Sequence, residues 1–153
     1  MRPDRIIVGE TRGDEVIDML QAMNTGHDGS MTTIHANSPR DALSRLENMI
    51  MMSGVDMPLR ATRAQISSAL DVVVQVKRLQ DGSRRMVAIS EMAGMEGEVV
   101  SRQDIFKFGT QNTNDDGKII GEFLPTGLRS IHTQRFTQWG YNLPTSIYTR
   151  AAQ

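Results

Sequence analysis

There is no cysteine among the 153 residues. A disulfide framework and a thiolate metal site are therefore both excluded. Aromatic residues are scarce, with one Trp, two Tyr and four Phe, too few and too scattered for a base-stacking platform. Charge of one sign is lacking too: 17 basic residues face 18 acidic ones, for a net charge of −1. That balance gives no electrostatic case for a nucleic-acid partner or for an anionic membrane surface. No apolar run reaches the length of a membrane span, and the first residues do not read as a signal peptide. The expectation is a soluble, cytoplasmic chain. Two catalytic signatures are also missing. No serine sits on a G-x-S-x-G elbow. No G-x-x-x-x-G-K-[ST] loop is present either, since the one lysine that follows a glycine, Lys118, has Asn112 before it and Ile119 after it where glycine and a hydroxyl residue would be needed.

What is there suits a folded domain. Hydrophobic residues make up 39% and charged residues 23% of the chain, and its length permits one domain with a sizeable core. Eleven methionines imply an adaptable aliphatic interior. Of the basic residues only Lys77, Lys107 and Lys118 are lysines, and arginine is the better fork for phosphate or carboxylate.

The order of elements follows from periodicity. Ile6-Ile7-Val8, closed by Gly9, reads as a short buried strand of parallel type. Val16, Met19, Leu20 and Met23 repeat at helical spacing over 14–24, with Asp14 as the cap and Gly26 as the stop. Residues 31–35 alternate as a short strand. Ser38-Pro39-Arg40-Asp41 opens a second helix that buries Leu43, Leu46, Met49 and Ile50. Pro58 opens a third, with Leu59, Ile66, Ala69 and Leu70 in register. From Leu70 the period becomes two. Val72, Val74 and Val76 alternate, Asp81-Gly82 marks a hairpin, and Met86–Met92, Val99–Phe108 and Lys118–Leu124 read as further strands, the last after a polar loop at 110–117. One short helix is expected at 131–138. The class is α/β, parallel strands and helices first and an antiparallel run after.

Two polar stretches stand where such a sheet binds ligands, beyond the carboxyl ends of its strands. In "RIIVGETRGDE", Glu10 follows the apolar strand directly and could hold a water or a hydrated Mg²⁺ beside a phosphate. Arg12 could pair with that phosphate or with Glu10 itself. The plainer reading is a solvated loop with a surface ion pair. In "TGHDGSMTTIHANSP", His27 and His35 could donate to a phosphate or orient a carboxylate, and small neighbours would let backbone amides approach an anion. A metal centre on His27, His35 and Asp28 is a competing reading, though no fourth ligand is fixed. The plain reading here is a polar turn whose histidines satisfy local backbone.

Together these stretches carry a resemblance. "RPDRIIVGETRGDEVIDMLQAMNTGHDGSMTTIHANSPRDALSRLENM" resembles the ATPases of the type II/type IV secretion superfamily, and with "MAGMEGEVVSRQDIFKF" it is most similar to the CpaF-type branch of Tad/Flp pilus assembly. The resemblance implies the C-terminal part of a RecA-like P-loop NTPase domain over residues 1–109, with a strand and helix extension over 110–153. It implies that Ile6-Ile7-Val8-Gly9-Glu10 is a Walker B strand and that Thr25-Gly26-His27 through Thr33-Ile34-His35-Ala36-Asn37 is the family's His box, sensing the γ-phosphate region. Glu10 and His35 would then be catalytic. Gly9, Arg12, Thr25, Gly26, His27 and Thr33 would face the nucleotide, and Glu10 would hold the Mg²⁺ shell. ATP and Mg²⁺ are the implied cofactors. The implied assembly is a hexamer beside an inner-membrane platform protein, at the cytoplasmic face of that membrane. In the family the phosphate loop precedes Walker B, so this stretch alone is expected to be inactive. A docking module without turnover is the alternative.

Overall fold

The computed structural model describes residues 3–149. The elements run β1 (Ile7–Val8), α1 (Glu15–Asn24), β2 (Met31–Thr32), α2 (Pro39–Met52), α3 (Leu59–Ala69), β3 (Val72–Arg78), β4 (Arg84–Glu96), β5 (Val99–Thr113), β6 (Ile119–Pro125), α4 (Thr133–Gln138) and a 3₁₀ turn at Thr145–Tyr148. This is the mixed α/β order that the periodicity predicts. No helix among the described residues is long and apolar enough to cross a membrane. The chain forms two compact units. One holds the residues up to Asp71 together with Gly94–Ser101, and the other holds Val72–Ala93 and the residues from Arg102 on.

In the first unit, β1 and β2 pair in parallel, Ile7 with Met31 and Val8 with Thr32. Three helices pack on one another through Val16, Met19 and Leu20 of α1, Leu43, Leu46 and Ile50 of α2, and Ile66 of α3, all buried. Each fully buried aliphatic side chain of this kind contributes about 1.5–3 kcal/mol relative to exposure. Arg63 of α3 donates from Nε and Nη2 to the two carboxylate oxygens of Glu47 on α2, at 2.9 and 3.2 Å. Its Nη1 reaches the Glu98 carbonyl at 2.9 Å, which fastens the turn between β4 and β5 to the helices.

Helix α2 starts as its sequence dictates. The Ser38 hydroxyl accepts from the Asp41 amide at 3.1 Å, and Pro39 takes the first helical position. Helix α1 does not. Asp14 makes no side-chain cap bond; instead Glu15 turns back and accepts from the amides of Arg12 and Gly13 at 2.6 and 3.2 Å. The longer glutamate side chain reaches amides that precede the helix. The expected C-terminal stop holds, since Gly26 takes φ +86° just beyond Asn24 and Thr25.

The second unit is an antiparallel sheet in the order β3-β4-β5-β6. Its first turn follows Asp81-Gly82, with Gly82 at φ +79° and the Leu79 amide donating to the Ser83 carbonyl at 2.8 Å. Phe106 stacks on Phe123 at 5.7 Å and meets the buried Tyr148 at 6.3 Å.

Five expectations need correction besides the α1 cap. The strand expected over 31–35 is confined to Met31–Thr32. The Ile6–Val8 run is not a buried strand: Ile7 is 71% exposed, because among the described residues β1 pairs with β2 alone. Leu59 is 42% exposed on α3, and the buried positions there are Thr62 and Ile66. The polar segment 110–117 is not all loop. Strand β5 runs on to Thr113, pairing Asn112 with Ile120 and Thr113 with Ile119, and the turn is confined to 114–117. Backbone pairing at a sheet edge needs no apolar side chains, so polarity there misleads. Helix α4 begins at Thr133 rather than at 131.

Candidate functional site

The first unit brings the ends of β1 and β2 side by side, and their pairing continues past the strands. The Thr11 amide donates to the Thr33 carbonyl at 2.9 Å, and the Thr33 hydroxyl donates to the Gly9 carbonyl at 2.6 Å. Parallel strands present their carboxyl ends at one edge. Glu10 and His35 therefore meet there, two residues beyond Val8 and three beyond Thr32.

Glu10 is the centre of this edge. Its Oε2 pairs with the Arg12 guanidinium, and its Oε1 lies 2.6 Å from His35 Nδ1. A carboxylate can only accept, so the proton between the two sits on Nδ1, and Nε2 remains as the ring's other hydrogen-bonding atom. The Arg12 hydrogen bond holds the Glu10 carboxyl below its ordinary value; Arg12 and His35 charge adds to the effect, and desolvation opposes it. The partners are open to solvent, with the Arg12 and His35 side chains 73% and 76% exposed against 22% for Glu10. His35 also borders an open cleft of about 280 Å³ with Ala36, Asn37, Asp41, Ser44, Arg45 and Asn48, so the exposed polar side of α2's first turns continues the site.

The remaining residues singled out from sequence form a second group at the end of α1. The Thr25 hydroxyl donates to the Gln21 carbonyl at 2.8 Å. His27 Nδ1 lies 3.1 Å from the Ala22 carbonyl, and the His27 carbonyl accepts from the Ser30 hydroxyl at 2.7 Å. The same Ser30 oxygen accepts from the Ile6 amide at 2.9 Å, which ties the turn to the start of β1. Gly29 sits at φ +83°, and a Cβ there would stand 2.8 Å from Arg5 Nε. Thr25, Gly26, His27 and Asp28 line a depression of about 350 Å³ with Pro3 and Asp4, distinct from the one that His35 borders. The structure thus joins Gly9, Glu10, Arg12, Thr33 and His35 through hydrogen bonds and ion pairs, while Thr25, Gly26 and His27 line the other depression.

A metal centre on His27, His35 and Asp28 fails on this geometry. No group of three or more His, Asp or Glu among the described residues could hold a metal ion. Two residues of the edge carry no motif signal. Thr11 is fully buried between half-buried Glu10 and exposed Arg12, and Glu15 fixes the 12–13 turn. The hydroxyl at 11 and the acid at 15 are visible in the sequence, but only the fold shows which way each turns.

Residues 1–125 match the family model described as Type II/IV secretion system protein, and the chain belongs to that family. Among curated relatives it is 38% identical to the conjugal transfer protein TrbB of Rhizobium radiobacter over 97 residues, 63% of this chain and 28% of TrbB. It is 42% identical to the type IV secretion system protein PtlH of Bordetella pertussis over 90 residues, 57% of this chain and 26% of PtlH. Among solved structures it is similar to the VirB11 ATPase of the Brucella suis type IV secretion system, in complex with sulphate. The TM-score there is 0.54 and the identity 33%, over 58% of this chain and 28% of that one. The chain thus spans little more than a quarter of the length of these relatives.

Proposed function

We propose that these residues form the C-terminal part of the ATPase domain of a secretion or pilus-assembly motor, with residues 110–153 as its extension. The nearest branch is the CpaF type of Tad/Flp pilus assembly, on the strength of the motif run from Arg2 to Met49 and of the segment 92–108. In this reading β1 and Glu10 are a Walker B element, and residues 25–37 are a His box. The assembly is a hexamer at the cytoplasmic face of the inner membrane, beside a platform protein.

The observation that carries the reading is the contact between Glu10 and His35 at the carboxyl ends of two parallel strands. Such a carboxylate polarises water attacking a phosphoryl group, while the histidine orients it and feels the charge of the terminal phosphate. Arg12, exposed beside Glu10, supplies a guanidinium for phosphate oxygen or for a neighbouring subunit. Mg²⁺ fits the donor set as an ion held by one carboxylate, its other ligands being water and phosphate oxygens, and there it would neutralise charge on the phosphates. Glu10 is the residue that would hold it. The chain alone, with no G-x-x-x-x-G-K-[ST] loop, supplies no phosphate cradle and is expected to be inactive.

A docking module without turnover is the second reading, favoured by the engagement of both Glu10 oxygens with Arg12 and His35. One experiment separates the two. In the full reading frame that contains this sequence, Glu10→Gln should abolish ATP hydrolysis and leave ATP binding intact. No hydrolysis in the unaltered protein would favour docking; unchanged hydrolysis in Glu10→Gln would keep the ATPase and remove Glu10 from its chemistry.

A further inference from the structure

The β1–β2 ladder is only two residue pairs long, which is little backbone to hold two side chains in register beyond its end. Thr11 makes good the shortage. It lies between Glu10 and Arg12, yet it is 1% exposed. Its amide is bonded to Thr33, and its hydroxyl has two partners of its own. Oγ1 lies 2.7 Å from the Thr32 hydroxyl on β2 and 3.1 Å from Met19 Sδ on α1. Thr11 donates to the Met19 sulfur, so the short bond between the hydroxyls takes its proton from Thr32, for which the Thr33 carbonyl at 3.3 Å is the more distant second acceptor. Valine would fill the same volume, but it would give no directed link from the residue after Glu10 to the strand that carries His35.

We infer that Thr11 is a positioning residue, whose buried hydroxyl fixes the end of β1 against Thr32 and so holds the Glu10 carboxylate on the His35 ring. The inference rests on the Glu10–His35 pair being the working pair of the site, and it concerns geometry rather than turnover.

The test uses the 153-residue chain as it stands. The nuclear Overhauser effect between the Glu10 γ-protons and the His35 ring proton Hε1 reads the contact directly. Thr11→Val should cut that signal by about half or more, while the thermal midpoint moves by only a few degrees. Thr11→Ser, which restores the hydroxyl, should bring the signal back. A full signal in Thr11→Val overturns the role, and so does a Thr11→Ser variant as poor as Thr11→Val, because the methyl group and not the hydroxyl would then be what matters. If Thr11→Val does not fold, Thr32→Val removes the same bond from the other side and should show the same loss; a full signal there overturns the role equally. Absence of the signal in the unaltered chain removes the pair itself. Loss of the signal in Thr11→Val, with hydrolysis surviving in Glu10→Gln, keeps the positioning role and rejects the catalytic one.

Discussion

Glu10 and Glu91 are both carboxylates held by several donors, and they could hardly differ more in kind. Glu91, on β4, is 6% exposed. Its Oε1 accepts from the Ser130 hydroxyl at 2.5 Å and its Oε2 from the Ile131 amide at 2.9 Å, with Gln103 Nε2 at 3.4 Å. Each of these donors is neutral and belongs to the second unit. Glu10 stands at an open edge, and its partners are a guanidinium and an imidazole, each more than two-thirds exposed. A buried acid with neutral donors cannot trade them for a ligand without opening the fold. An acid at an open edge with solvent-exposed partners can. The number of hydrogen bonds therefore does not mark a functional acid; the accessibility and exchangeability of its partners do.

The contrast breaks most visibly in stability. Glu91→Ala leaves the Ser130 hydroxyl and the Ile131 amide without their acceptor in a buried place, and should cost about 3 kcal/mol. The urea midpoint followed by Trp139, the single tryptophan, reads this in the unit concerned. Glu10→Ala, which removes ion pairs to the exposed Arg12 and His35 in the first unit, should leave the urea midpoint followed there by far-UV circular dichroism of the helices where it is. Equal shifts in the two variants would mean that Glu10 also supports the fold, and the distinction would fail.

Asp81 sharpens the comparison, because it is held by neutral donors in a turn rather than in a core. The Ser83 hydroxyl and the amides of Ile119 and Ser83 lower its pKa from 3.8 to about 2. The folded value lies below the unfolded one. Its contribution to stability is therefore complete above the unfolded value and is lost as pH falls through the folded value. Asp81→Asn should flatten the decline in stability between about pH 4 and pH 2, measured by urea unfolding at each pH. An unaltered slope would place the acid sensitivity of the fold in other carboxylates.

How much of this was legible beforehand depends on whether a residue's neighbours are close in sequence. Ser38-Pro39, Gly26 and Asp81-Gly82 mark local geometry, and each stands where its pattern requires. The apolar face of α2 is also local and came through intact. Strand β1 did not, since an Ile-Ile-Val run states a preference for burial but not whether a partner is present to satisfy it. The site divides in the same way. Glu10 and His35 are 25 residues apart; the family resemblance, not their spacing, implied a shared site, and only the fold shows the contact between them. The bond of His27 Nδ1 to the Ala22 carbonyl is likewise visible only in the fold, and the role the resemblance gives His27 stays a proposal. Thr11 was silent, because a buried threonine between two charged residues announces itself only once Thr32 and Met19 are seen around it.

The finest form of the comparison concerns Glu10 alone. The largest influence lowering its carboxyl is the Arg12 hydrogen bond, ahead of the charge of either partner. Arg12→Gln removes that charge and that donor and leaves the His35 contact in place. The Glu10 carboxyl should then titrate higher, closer to an ordinary glutamate, while the unfolding midpoint stays unchanged because the lost pair is exposed. Its side-chain carboxyl carbon, followed by NMR across the acid range, gives the midpoint directly. A shift without destabilisation is what an acid tuned by exchangeable partners must show. If the midpoint does not move, His35 and the edge itself set the charge of Glu10, and Arg12 is free to serve a phosphate or a neighbouring subunit at no cost to the acid beside it.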